Sequence, residues 1–137
     1  MRVFIDANVI ISVSNREYPL FIFSARILSL GNRDRFELFT SPLCLAIAFY
    51  FSSKKSGERM AKNKIQSLLK NISLTTIDES VARQTAEDPR INDFEDGLEY
   101  YSAIKEFCKA IITEDKNDFY FSEIEVLNCS EFLTRHC

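Results

Sequence analysis

The chain has 137 residues, 46% hydrophobic and 27% charged, with 12 phenylalanines and no tryptophan, which suits one domain (1–137) with a sizeable core. Three glycines and three prolines exclude a long flexible linker. No apolar run reaches membrane-spanning length and Asp6 interrupts the first one too early for a signal peptide, so a cytoplasmic protein with no membrane partner is expected; the net charge of −3 is not that of a general nucleic-acid binder.

Val3-Phe4-Ile5 is a short apolar run ending at Asp6 and reads as a first strand. Leu20 to Leu30, after Pro19, has helical length, with Gly31 as its stop. Phe36 to Thr40 alternates and reads as a second strand. Ser41 then caps a helix with Pro42 in its first turn, running to Ser53. After Gly57 a basic amphipathic helix extends to about Leu69, and the two helices are expected to form an antiparallel hairpin. Ser73 to Ile77 is β-branched and reads as a third strand. Asp78 or Ser80 caps a short helix that ends before Pro89, and Asp93 opens a longer one through Phe107. Ala110 to Thr113 is a buried fourth strand and Ile124 to Leu127 a fifth, with Ser130 capping a last helix. Strands alternating with helices predict an α/β fold: a central, mostly parallel five-stranded sheet with helices on both faces.

Cys44, Cys108, Cys129 and Cys137 form no C-x-x-C pair, and His136 is the only histidine, which argues against zinc and a disulfide framework. Cys44 and Cys108, in segments read as helical, are expected to be buried thiols. Between Lys54 and Lys70 six basic residues face one acidic residue, so the rest of the chain is markedly acidic. Lys54, Lys55, Arg59 and Lys62 are therefore candidates for contacting an RNA backbone, the plainer alternative being a solvated helix face.

Carboxylates recur where a parallel sheet would end its strands, and open α/β sheets place their sites there. Asp6 follows the first strand, with Asn8 two residues on to orient it. Asp93 and Asp96 share a face at a helix start. Asp93 suits an N-cap, leaving Asp96 as the better ligand and Glu95 and Glu99 as solvated. Asp115 and Asp118 follow the fourth strand, where the Thr113 hydroxyl can hold a ligand carboxylate. Several carboxylates that meet repel one another unless a cation lies between them, and all-oxygen sites favour Mg²⁺ or Mn²⁺. Such a site suits phosphate esters, and the lack of a usable histidine leaves a water activated by the cation as the expected nucleophile.

These stretches, Phe4 to Ile11, Asp93 to Ala103 and Ile111 to Phe119, with Val126-Leu127 and Glu131-Phe132-Leu133, resemble the PIN-domain family, especially the VapC-type toxin ribonucleases. The resemblance covers nearly the whole chain. It implies a single PIN-like domain, a Mg²⁺ or Mn²⁺ site, endonucleolytic RNA cleavage, a homodimer, and an antitoxin whose tail blocks the site. By position it makes Asp6 and Asp96 metal ligands and Asp115 the fourth acid, with Asp118 as companion or substitute. One departure is serious. The family usually has a glutamate on the helix after the second strand, at about Ile47, and here Leu45 to Tyr50 holds no carboxylate. Asp93 or Asp118 is a candidate to compensate. A smaller departure is Ala7, where a hydroxyl residue is common.

The alternative is a catalytically impaired PIN-like domain acting as an RNA- or protein-binding module. A phosphoacceptor receiver domain would need an acidic pair at the first strand, and a haloacid-dehalogenase-type phosphatase a D-x-D there. Asp6-Ala7-Asn8 offers neither. The Leu20–Leu30 helix and the Phe49, Tyr50, Phe51 cluster either join the core or meet a dimer partner or antitoxin.

Overall fold

The computed structural model describes all residues, Met1–Cys137. Strand β1 (Arg2–Ile5) leads into helix α1 (Ala7–Ser14), then α2 (Phe21–Ser29) and β2 (Glu37–Thr40). Helices α3 (Pro42–Ser56) and α4 (Glu58–Leu68) precede the short β3 (Ser73–Leu74) and α5 (Glu79–Glu87). Then come α6 (Phe94–Lys105), β4 (Ala110–Ile112), a 3-10 turn (Lys116–Phe119), β5 (Glu125–Leu127) and α7 (Cys129–His136).

The five strands form one all-parallel sheet in the order β3-β2-β1-β4-β5. Side chains alternate across it with the two-residue period of a strand. Val3, Ile5, Leu38 and Ile112 face one core with Ile27 of α2 and Phe132 of α7. Phe4, Phe39 and Ile111 face the other with Cys44 of α3 and Tyr100 and Ala103 of α6. Helices thus cover both faces, as expected. The strand order reverses at β1: the chain builds outward to β2 and β3, then returns to β1's other edge with β4. A crevice opens at such a reversal, beyond the carboxyl ends of β1 and β4.

Several details differ from the expectation. Helix α1 has no counterpart in it, because Val-Ile-Ile-Ser-Val is rich in β-branched residues. Asp6 caps α1, Val9 and Ile10 bury fully, and Lys64 donates to Ser14 O at 2.6 Å, with Lys55 on Asn15 O, to close its far end. β3 stops at Leu74 as an edge strand with one neighbour; Thr75 still donates to Thr40 O at 2.8 Å before the chain leaves the sheet. The last helix is capped by Asn128, not Ser130, in a capping box with Glu131. Helix α6 ends at Lys105, and Phe107 takes a left-handed φ of 59°, so the buried Cys108 lies beyond the helix rather than in it. Ser41 and Pro42 open α3 as expected, and α3 and α4 pack together across Gly57, whose φ of 85° favours glycine. All four cysteines are free, and no helix is long and apolar enough to cross a membrane.

Candidate active site

At the reversal point lies a cleft of about 190 Å³. It is lined by six carboxylates, Asp6, Glu95, Asp96, Glu99, Asp115 and Asp118, together with Ala7, Asn8, Ile11 and Ile47, and by no lysine or arginine. A larger groove of about 290 Å³ beside Val13, Phe21 and Leu68 carries Arg16 and Lys64 but no acid. The acids that follow β1 and β4 thus gather with those of α6 in the smaller cleft.

Asp6 follows β1 because its backbone N–H continues the sheet ladder, donating to Ile112 O at 3.0 Å. Its Oδ1 accepts from Ala7 N (2.7 Å), and its Oδ2 from Thr113 Oγ1 (2.7 Å) and Asn8 Nδ2 (3.4 Å). Burial pushes its carboxyl above the usual range, and the bonds from Thr113 and Ala7 oppose the rise. Thr113 directly follows β4, and its hydroxyl also accepts from Asp115 N and Asn8 Nδ2, both at 3.0 Å. Asn8 reaches Asp115 Oδ2 at 3.2 Å, while its Oδ1 accepts from Glu114 N at 3.2 Å. Asn8 and Thr113 thus tie the ends of β1 and β4 into one polar unit.

Helix α6 supplies the opposite wall. Asp93 caps it, accepting from Asp96 N at 3.1 Å, and does not line the cleft. Asp96 does. Burial and then the charges of Asp93, Asp118 and Asp6 raise its carboxyl to about 7. Burial also lifts Asp118 at the rim, with help from Asp115 and Asp93.

Glu99 corrects the sequence expectation of a solvated side chain: it is only 2% exposed. Its Oε1 accepts from Cys44 Sγ at 3.1 Å, and Cys44 Sγ lies 3.9 Å from Asp6 Oδ1. Burial, then the charge of Asp6, pushes the Glu99 carboxyl up to about 9. Burial beside these acids likewise pushes the Cys44 thiol well up. The signal for Glu99 was present in its spacing, since Asp96 and Glu99 are three apart and share a helix face.

Lys54, Lys55, Arg59 and Lys62 are exposed at the α3–α4 junction and none lines the cleft. Lys55 reaches back to Asn15 O, and Lys54 lies over the Tyr50 ring, 4.4 Å from its centroid. Lys54 follows Ile47 by seven residues, which puts it on the same face of α3, roughly 10 Å along the axis.

The donor set fits a hard divalent cation. It is dominated by carboxylate oxygens, two of its acids are buried, and no protein cation offsets their charge.

The family model described as PIN domain matches residues 2–117. The chain belongs to the PIN-domain family. It is 29% identical over 138 residues to Ribonuclease VapC1 of Aquifex aeolicus (strain VF5), spanning 98% of this chain and 94% of that protein. Two solved structures share the fold. One is VapBC2 of Rickettsia felis, bound to a DNA fragment from its promoter, with TM-score 0.69 and 16% identity over 93% of this chain and 98% of that one. The other is VapC20 of Mycobacterium tuberculosis, a sarcin-ricin loop cleaving toxin, with TM-score 0.67 and 15% identity over 89% of this chain and 98% of that one. Within this PIN domain Ile47 lines the acidic cleft, so the position that lacks the expected glutamate does face the site.

Proposed function

We propose that this PIN domain is a Mg²⁺- or Mn²⁺-dependent endoribonuclease, the toxin of a toxin–antitoxin pair. The observation that carries the proposal is the cleft at the ends of β1 and β4, where six carboxylates converge without a lysine or arginine. The likeness to a VapC ribonuclease along almost the whole chain supports the substrate class.

In this reading Asp6, Asp96 and Asp115 hold the cation, with Asp118 at the rim as a further ligand. When bound, the cation would neutralise charge on the phosphate and make water a stronger nucleophile. The chain's own groups do the rest. Thr113 and Asn8 fix the Asp6 carboxylate, and Asn8 also fixes Asp115. Asp93 orients the first turn of α6 and with it Asp96. Lys54, on the Ile47 face of α3, with Arg59 and Lys62 beyond it, offers charge to an RNA backbone running out of the cleft. Lys55 is the weaker candidate, being engaged with Asn15.

An antitoxin and a second copy of the chain are the proposed partners. The VapBC2 structure supports the first, and Ile22, Tyr50 and Phe51, each about half exposed on α2 and α3, supply apolar surface for either. One observation favours a binding module instead: Ile47 brings no carboxylate to the cleft.

Cleavage of a structured RNA pool decides between them. The wild type is expected to cut with Mg²⁺ or Mn²⁺ and to stop in EDTA, with Asp6→Asn and Asp96→Asn at least about a hundredfold slower, as the loss of a main electrostatic contribution implies. Cleavage that survives both substitutions, or none by the folded wild type, would remove the nuclease.

A further inference from the structure

We infer that Glu99 supplies, from α6, the metal-holding carboxylate that α3 lacks, an inference that rests on the nuclease reading and deepens it. Helix α3 turns Cys44 and Ile47 towards the acids, one turn apart, and neither is a carboxylate. Glu99 occupies the space left between α3 and Asp6. One ligand atom from each of Asp6, Cys44 and Glu99 lies within 4.8 Å of the other two.

The company Glu99 keeps is the independent observation. A carboxylate this buried is ordinarily matched by a cation or by several backbone N–H groups. Glu99 is 2% exposed, takes part in no ion pair, and has as hydrogen-bond partners only the Cys44 thiol, a weak donor, and the carboxyl of Asp6, itself an acid. The ionisable groups gathered with it are Cys44 and Asp6, both buried as well. Glu99 and Asp6 pack together with no lysine or arginine in the cleft to offset either one. A divalent cation between them satisfies both at once, and it also explains why the acid can move from α3 to α6 without leaving the cleft.

The test measures metal binding, so it stands apart from cleavage. Full-length wild type, Glu99→Gln and Asp6→Asn are titrated with Mn²⁺, free ion being followed by electron paramagnetic resonance, with circular dichroism to confirm folding. Glu99→Gln keeps the shape and loses the ability to ionise towards a cation. It is expected to weaken Mn²⁺ binding by at least about tenfold, and a double variant Ile47→Glu, Glu99→Gln is expected to recover most of that loss. Wild-type affinity in Glu99→Gln, with Asp6→Asn weakened, overturns this inference and leaves the nuclease reading intact. No Mn²⁺ binding by the wild type overturns both. Should Glu99→Gln fail to fold, carboxyl ¹³C resonances of the wild type are followed during Mg²⁺ titration. A shift at Glu99 matching that at Asp6 supports the inference, and an unmoved Glu99 resonance overturns it.

Discussion

At the scale of single residues, Thr113 gathers three partners on one hydroxyl. Its hydroxyl donates to Asp6 and accepts from Asn8 and Asp115 N, with no exposure to solvent. Thr113→Val keeps the volume and removes all three bonds, leaving buried polar groups unmatched. A loss of about 1–3 kcal/mol in urea unfolding is expected, with weaker Mn²⁺ binding because Asp6 is no longer held. Thr113→Ser should stay near wild type; equal damage from both would mean the methyl, not the hydroxyl, matters. Asp6, Asp96, Asp115 and Thr113 could be placed from sequence because each lies at or beside a strand or helix end, where local pattern fixes position. Glu99 could not be placed fully. Its helix face was readable, but its burial depends on Asp6 and Cys44, which arrive from distant elements. Ile47 carried a legible absence, and only the packed structure shows that its side chain reaches the cleft.

At the scale of elements, α6 carries three of the cleft acids, Glu95, Asp96 and Glu99, and its placement rests on Gly97. A Cβ there would lie 2.4 Å from Thr85 Cγ2 on α5 and 2.9 Å from Ile91 Cγ2. Replacing a mid-helix glycine with alanine usually stabilises by up to about 1 kcal/mol. Here the sign should reverse: Gly97→Ala is expected to cost about 1–3 kcal/mol by overpacking and, by pushing α6 off α5, to lower metal affinity as well. A thermal melt and a Mn²⁺ titration check both, and a stabilised variant would show that Thr85 and Ile91 yield easily. The alternation of apolar runs with capped helices made four strands and most helices legible, since period and caps are local. α1 was not, because its β-branched sequence is overruled by Asp6 at one end, lysines at the other and full burial of Val9 and Ile10. β3 was overestimated because its length depends on a neighbour that only β2 provides.

For the molecule as a whole, the acidic cleft sets how stability follows pH. In the metal-free fold burial raises the carboxyls of Asp6, Asp96 (to about 7) and Glu99 (to about 9). Over the window from their ordinary values, about 4, up to these raised ones, the folded chain holds more protons than the unfolded chain. Stability contributed by these groups is present at the acid end and falls as pH rises through the window. Asp78, Asp88, Glu125 and Glu131 act oppositely. Hydrogen bonds from Lys105, Arg90, Arg135 and the Asn128 backbone lower their carboxyls, so their contribution is present above about pH 4 and lost below it. The two windows hardly overlap, which places the stability maximum of the EDTA-treated protein near about pH 5. A divalent cation competes with the cleft protons, so its stabilisation should grow with pH and reach about 2.7 kcal/mol at a hundred times its dissociation constant. Urea unfolding from about pH 5 to about pH 9 is therefore expected to fall steadily in EDTA, to flatten with excess Mg²⁺, and to flatten without metal in Asp96→Asn and Glu99→Gln. A metal-free protein equally stable across that range would mean the cleft acids are solvated and paired well enough to ionise freely, and the electrostatic case for a cation between them would fail.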